Sequence, residues 1–266
     1  MIKVLIFDID DTLVKQGEDL VKRSSVEAIN KAYENGYKII VATGRGYYLM
    51  QQDVRDSLPV DYYVTVNGSC INDGEGNVIK CYKMQDEDID RLVEICCERD
   101  YPFALKFDDS LRTYNKHDEF CDLYCSYAIP RSAVIDETEH KDYHKTHGNC
   151  LDFFIYSPNN EAYQLKNEFE NVKFVEPTVG AQCCEAFQKG LSKGLSMKEL
   201  VESIGYTMDE CMAFGDSEND IELIEMSGIG VAMGNGLDRL KQAADYVTDD
   251  IDHDGIYNAL KHFEII

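Results

Sequence analysis

Val4-Leu5-Ile6-Phe7-Asp8-Ile9-Asp10-Asp11-Thr12 decides the reading of this chain. The apolar run over residues 2–7 predicts a buried strand, and it stops abruptly at three carboxylates. Two like charges ~4 Å apart repel by about 4 kcal/mol at an effective dielectric of about 20, so such a cluster demands compensation. A hard cation supplies it, and the C-terminal edge of a strand is where open α/β sheets place their chemistry. The first dozen residues therefore form a candidate nucleophile and metal site.

Outward from this stretch, strand and helix patterns alternate. Ser25 caps a helix through Ala28, Ile29 and Ala32 that ends at Gly36, and residues 37–42 form a second strand with Thr43-Gly44-Arg45 just beyond it. A helix over 46–56 leads to a third strand at 62–66; Asn67-Gly68 turns the chain, and Asn72-Asp73-Gly74 reads as a hairpin tip. After residue 188 the rhythm resumes, with helices at 193–204, 219–226, 238–244 and 255–262. Strands fall at 211–214, 229–232 and 246–247. This alternation predicts an α/β fold with a doubly wound parallel sheet.

The middle differs. Ile89, Leu92, Val93 and Cys96 mark an amphipathic helix, and short strands are joined by polar connections. Residues 84–187 carry 22 acidic against 10 basic side chains, a net of −12. They read as a separate α+β module inserted into a discontinuous core of 1–83 and 188–266.

Composition narrows the partners. A net charge of −24 over 266 residues argues against nucleic acid or an anionic membrane. The N-terminal apolar run is too short for a signal peptide, and no stretch reaches the length of a membrane span. Ten cysteines include the vicinal pairs Cys96-Cys97 and Cys183-Cys184, with Cys121 and Cys125 one helical turn apart, but no C-x-x-C. Reduced thiols in a cytoplasmic protein are the expectation, and in that compartment the Asn67-Gly68-Ser69 sequon has no meaning.

Three strand-end motifs follow one another in chain order: Asp8-x-Asp10-x-Thr12, Thr43-Gly44-Arg45, and Gly215-Asp216-Ser217-Glu218-Asn219-Asp220. A parallel sheet brings such loops to one edge. Lys193 begins a helix able to aim its ammonium at the same edge. With FDIDDTLV first, VATGR second, Lys193 third and GDSENDIEL fourth, the chain resembles the haloacid dehalogenase-like phosphohydrolases, specifically their Cof-type branch. Val66-Asn67-Gly68, Ala232-Met233-Gly234-Asn235-Gly236 and Asp254-Gly255-Ile256 support the resemblance, which covers the whole chain.

The resemblance implies a Rossmann-like core and an inserted C2-type cap, an open-faced sheet with helices on one side that closes over the site and selects the leaving group. It implies that Asp8 is a nucleophile forming an aspartyl-phosphate, with Asp10 as general acid and then base. Mg²⁺ would be held by the Asp8 carboxylate, the Asp10 carbonyl and Asp216, with Asp220 adjacent. Thr43 and the following amides, Gly44 first, would hold the phosphate; Lys193 would neutralise phosphate and Asp8; Asn219 would orient Lys193 or the phosphate. Arg45 would face the substrate or the inserted module. Dehalogenating relatives lack an acid two positions after the nucleophile and P-type ATPases typically carry threonine there. Asp10 therefore points to a turnover phosphatase or a mutase, not a dehalogenase or pump, and the first reading is a phosphatase acting on a small phosphorylated metabolite such as a sugar phosphate. A sugar phosphomutase and a phosphate-sensing regulatory protein are the alternatives. The sequence specifies no oligomeric state.

Plainer readings stand beside these. Calcium loops starting at Asp8 or Asp216 would need glycine where Leu13 and Ile221 stand. Lys193 alone is ordinarily a solvated helix residue, Thr43 alone a helix cap, and Asp11 a structural residue. Gly228-x-Gly230 precedes Met233 where a dinucleotide fingerprint needs glycine, and no P-loop occurs. His140, His144 and His147, with His117, permit a metal but read more simply as polar surface. Tyr47 and Tyr48 read as packing. Lys106, Arg112 and Arg131 are possible anion contacts in the module, though surface charge is the simpler reading.

Overall fold

A computed structural model describes residues 1–125, 129–176 and 182–266. Along the chain, β1 (Val4–Phe7), α1 (Arg23–Glu34), β2 (Lys38–Ala42), α2 (Gln52–Ser57), β3 (Tyr62–Thr65), β4 (Cys70–Asp73) and β5 (Val78–Cys81) come first. Then follow α3 (Asp86–Glu98), β6 (Phe103–Phe107), β7 (Leu111–Asn115), α4 (His117–Tyr124), β8 (Val134–Asp136), α5 (Tyr143–Thr146), β9 (Cys150–Tyr156), β10 (Val172–Val175) and β11 (Cys183–Gln188). The chain closes with α6 (Lys193–Ser203), β12 (Cys211–Gly215), α7 (Ile221–Met226), β13 (Ile229–Ala232), α8 (Asp238–Ala243), β14 (Tyr246–Val247) and α9 (Gly255–His262).

Two compact units result. One comprises residues 1–45, 50–79 and 192–266, the other 46–49 and 80–191. The first is built on an eight-stranded sheet ordered β14-β13-β12-β1-β2-β3-β4-β5. Pairing is parallel from β14 to β3 and antiparallel between β3 and β4. All four residues of β1 are buried, as a central parallel strand covered on both faces requires. On one face Ile6, Ile40, Ala42 and Val64 pack with Met197 and Leu200 of α6, Leu223 of α7 and Leu240 of α8. β1 lies between β2 and β12, so chain order reverses there, and the loops after these strands open at a topological switch point.

Three local expectations change. Ser25 does not cap the first helix: α1 already begins at Arg23, Lys22 precedes it without a side-chain cap, and Ser25 is buried within its first turn. The predicted helix over 46–56 is broken: Tyr47–Leu49 forms a 3-10 turn, and extended backbone at Gln51 (ψ 134°) precedes α2. Strand β3 stops at Thr65, one residue early, because Val66 and Asn67 adopt φ of 49° and 51°.

The second unit carries a six-stranded sheet ordered β10-β11-β9-β6-β7-β8, antiparallel except for β7 with β8. Phe103, Leu105, Phe107, Phe153 and Ile155 pack on one face with Ile89, Leu92 and Cys96 of α3. The other face is not bare, contrary to the expectation of helices on one side. Ala104, Leu111 and Val134 form an apolar patch there, covered by Phe120 and Cys121 of α4. No helix among the described residues is long and apolar enough to cross a membrane.

Candidate active site

Four adjacent parallel strands, β12, β1, β2 and β3, end at one edge of the first unit's sheet and deliver the site from their loops. Asp8 follows β1 directly, its amide donating to the Phe214 carbonyl of the neighbouring strand (3.1 Å). Lys193, the first residue of α6, is almost fully buried at 1% exposure, as is Asp8 at 4%. Ser192 caps that helix, its Oγ accepting from the Leu195 amide. The Lys193 Nζ donates to Asp8 Oδ1 (2.6 Å) and to Asp220 Oδ1 (2.8 Å). A lysine expected on its own to be solvated is thus the central cation of the site.

Asp220 is fully committed. Its second oxygen accepts from the amides of Asp216 (3.2 Å) and Ser217 (3.1 Å) and from the Ser217 hydroxyl (3.3 Å). Glycine at 215 makes this possible, since a Cβ there would sit 2.5 Å from the Cβ of Asp220. Asp220 therefore braces Lys193 and the 216–217 turn. Asp216 accepts from the Thr12 hydroxyl at Oδ1 (3.2 Å).

Asp8, Asp216 and Asp220 lie close enough to share one ion, with ligand atoms within 4.8 Å of one another. One ammonium faces three acids. Burial, then Asp220, pushes the Asp216 carboxyl up to about 7. Burial raises Asp8 well above the carboxylate range against the pull of Lys193, with Asp220, Asp216 and Asp10 adding to the rise. Burial alone would lower Lys193, but Asp220 and Asp8 hold it above its ordinary value, so it remains an ammonium. The donors are hard oxygens and a positive charge is wanting, which suits a hard divalent cation.

Asp10 points elsewhere. Its two oxygens accept from Arg45 Nε (2.8 Å) and Nη2 (2.7 Å), a bidentate pair. Arg45 thus braces Asp10, a pairing the sequence did not indicate. Thr43 is buried and accepts at Oγ1 from the Arg45 amide (3.1 Å). The backbone at Gly44 lies close to the Asn67 carboxamide: a Cβ there would meet Asn67 Oδ1 at 3.1 Å and push it by a few tenths of an ångström. Asn219 Nδ2 donates to Asn67 Oδ1 (2.9 Å) rather than reaching Lys193, and its own Oδ1 accepts from Ser217 (2.7 Å). Asp11, at φ 58°, accepts from the Gln16 amide (2.8 Å) and so caps its own loop.

Thr12, Ser217 and Asn67 join this network without having been singled out for it. The signal for Asn67 was present: an Asn-Gly pair closing a parallel strand suits positive φ, which both residues adopt. Several other candidates belong to the second unit. The Tyr48 hydroxyl donates to the Ser110 carbonyl (2.7 Å). His144 is held between Asp90 (3.0 Å) and the Tyr114 hydroxyl (3.1 Å), and His147 stacks on Tyr143. Lys106, expected at the surface, is buried against Asp152 and Glu185, while Arg112 pairs with Glu137 and Arg131 with Asp118 and Asp122. All ten cysteines carry free thiols. Gly228 and Gly230 are packing glycines, for a Cβ on either would strike Asp209 or Ile224.

Comparison with known proteins adds lineage to this geometry. The chain is 27% identical over 263 residues to 5-amino-6-(5-phospho-D-ribitylamino)uracil phosphatase YcsE of Bacillus subtilis, covering 98% of this chain and 96% of that protein. It is 28% identical over 245 residues to the HMP-PP phosphatase of Yersinia pseudotuberculosis, covering 91% of this chain and 87% of the other. Its fold superposes on a sugar phosphatase of HAD subclass IIB with a TM-score of 0.86 at 27% identity, over 99% of this chain and 100% of that one. The sequence model of the haloacid dehalogenase-like hydrolases matches residues 5–260. With that match running through every loop of the site, the chain belongs to the haloacid dehalogenase-like hydrolases.

Proposed function

We propose that this hydrolase is a Mg²⁺-dependent phosphatase that cleaves a small phosphomonoester, such as a sugar phosphate, through an aspartyl-phosphate on Asp8. The observation that carries the reading is the sharing of Lys193 between Asp8 and Asp220, with Asp216 alongside, at the ends of β1 and β12. A buried carboxylate beside an ammonium and an uncompensated acid is an electrostatic arrangement for gathering negative charge, which phosphoryl transfer needs most.

Asp8 and Asp216 would hold Mg²⁺ with their carboxylates, joined by the Asp10 carbonyl, while Asp220 serves Lys193. When bound, the ion supplies neutralisation of the phosphoryl oxygens and of the two acids. The remaining chemistry belongs to the chain. An Asp8 oxygen attacks phosphorus as the bond to the leaving oxygen breaks, and Asp10 delivers a proton to that oxygen. Water then attacks the same phosphorus, Asp10 takes its proton, and the Asp8 carboxylate and inorganic phosphate separate. Lys193 offsets charge on Asp8 throughout; Thr43 and the Gly44 amide face the transferred group. Arg45 keeps Asp10 in one orientation by gripping both its oxygens.

The unit inserted at about 84–187 is assigned the role of cap, supplying the residues that distinguish one leaving group from another. The related proteins named for uracil-linked ribityl, HMP-PP and sugar phosphate substrates support a small phosphorylated metabolite as the class. The test is product analysis of full-length protein with Mg²⁺ and a panel of sugar and alcohol phosphomonoesters. Release of inorganic phosphate is expected. An isomeric sugar phosphate in place of free phosphate would make the protein a mutase, and no turnover of any monoester would sink the reading.

A further inference from the structure

Val66, Asn67 and Gly68 carry φ of 49°, 51° and 100° in succession. A β-branched residue at positive φ is a rare conformation, sustained only where surrounding contacts dictate it. Here they come from three other parts of the first unit. The Val66 amide donates to the Arg45 carbonyl (3.0 Å) and the Asn67 amide to the Thr43 carbonyl (3.1 Å), so the turn grips the 43–45 loop on both sides of Gly44. The Gly68 carbonyl accepts from Ser196 Oγ (2.7 Å), and a Cβ at Gly68 would lie 2.3 Å from the Ser192 carbonyl, so the turn also abuts the start of the helix that presents Lys193. The Asn67 carboxamide lies against Gly44 and accepts from Asn219.

We infer that the 66–68 turn is a positioning element for phosphate, with Asn67 as its working residue. The inference rests on the phosphoryl-transfer reading of this site. A trans peptide directs its C=O and N–H to opposite sides. Drawing the Thr43 carbonyl onto Asn67 therefore turns the Gly44 N–H away from the turn, as a phosphate-binding loop requires. The Asn67 side chain then sets the spacing between this loop and Asn219, tying the second and fourth motifs together. It acts through Gly44 and Asn219, not on the reacting atoms.

Asn67→Gly is the decisive variant. Glycine adopts φ near 50° freely, so the turn and its two backbone bonds survive while the carboxamide is lost. Expected are a thermal midpoint and a Mg²⁺-induced shift like those of the wild type. The inhibition constant for inorganic phosphate should rise about tenfold or more and kcat/KM for an aryl phosphate should fall alike, the worth of a misplaced charge-assisted hydrogen bond. Because the two residues share a hydrogen bond, the Asn67→Gly/Asn219→Ala double variant should lose less than the sum of the two single variants. A merely structural residue would move the thermal midpoint and leave phosphate inhibition where it was. Asn67→Gly with wild-type kcat/KM and phosphate inhibition would overturn this inference alone. Wild-type protein that neither turns over aryl phosphate nor is inhibited by phosphate would overturn the parent reading and this one with it.

Discussion

Among the described residues two lysines are buried, each clasped by two carboxylates, and their settings differ. Lys106 lies in the middle of β6 with Asp152 directly across the ladder on β9 (2.8 Å) and Glu185 on β11 (2.5 Å). Lys193 starts a helix and meets Asp8 and Asp220 from two loops. The first trio is made of side chains on paired strands whose backbones are occupied with one another. The second stands where four strands end, beside Asp216 and a turn at positive φ. At each, burial raises a carboxyl to about 7: Asp152 within the first trio and Asp216 beside the second. A buried, perturbed ion trio is thus no mark of chemistry by itself. Strand-end loops and a further acid, Asp216, set the second trio apart from the first.

The sharpest way to break this comparison is to neutralise one acid in each trio. Asp8→Asn should lower aryl phosphate turnover by at least about 10⁴-fold, whereas Asp152→Asn should keep it. Asp8→Asn protein retaining more than about a hundredth of the wild-type rate would end the nucleophile assignment.

Removing the cations comes next. Lys193→Met strands two buried carboxylates and Lys106→Met strands the buried Asp152 with the part-buried Glu185, and each should cost roughly 3–5 kcal/mol in denaturant titrations. Similar losses of stability with loss of catalysis confined to Lys193→Met would separate the trios by function. Turnover surviving in Lys193→Met would make both of them structural.

Protons and Mg²⁺ give a third contrast. Asp8 and Asp216 have folded-state pKa values raised above the ordinary 3.8, so the folded protein binds protons more tightly than the unfolded chain. The metal-free protein should therefore lose stability as pH rises from about 4 through about 7, and Asp152 adds to the same trend. Only the second trio, at the strand ends, should answer to Mg²⁺. At ~100 times its dissociation constant the ion should add about 2.7 kcal/mol, and the gain should be greater at alkaline than at acidic pH. Thermal midpoints in Mg²⁺ and in EDTA across this range measure it; indifference to the ion at every pH removes the cation from the site.

The smallest effect concerns orientation. Arg45→Lys keeps the charge but forfeits the two-pronged grip on Asp10, and kcat should drop about tenfold to a hundredfold with the thermal midpoint nearly unmoved. Unchanged kcat would detach Arg45 from the placement of Asp10.

Most of the core was legible from residues alone because its signals are local. Four buried residues before Asp8, the Ala28-Ile29-Ala32 stripe and the glycine at 36 with φ 94° announce strand, helix and stop without reference to partners. The failures are equally physical. Nothing near Arg45 in the chain says that its guanidinium will find Asp10, since that meeting depends on β1 and β2 being neighbours. Asn219 was expected to orient Lys193 or the phosphate; Asp220 takes the ammonium, and the Asn219 amide donates to Asn67, a partner 152 residues away in sequence. Lys106 looked like surface charge because its two acids lie 46 and 79 residues away in sequence. The module's second face looked bare because α4 is a short helix whose covering residues, Phe120 and Cys121, show their role only against Ala104 and Leu111.

The sequence by itself determined which residue types stand at the ends of which strands, because strand, turn and cap propensities act over a few residues. It therefore settled the alternating α/β order and the cluster of acids after β1. Only the tertiary structure decided how those acids are shared: Lys193 to Asp8 and Asp220, Arg45 to Asp10, Thr12 to Asp216, Asn67 to Gly44 and Asn219. These pairings depend on which strands lie side by side. That order follows from long-range packing of buried faces and is not written in any local pattern.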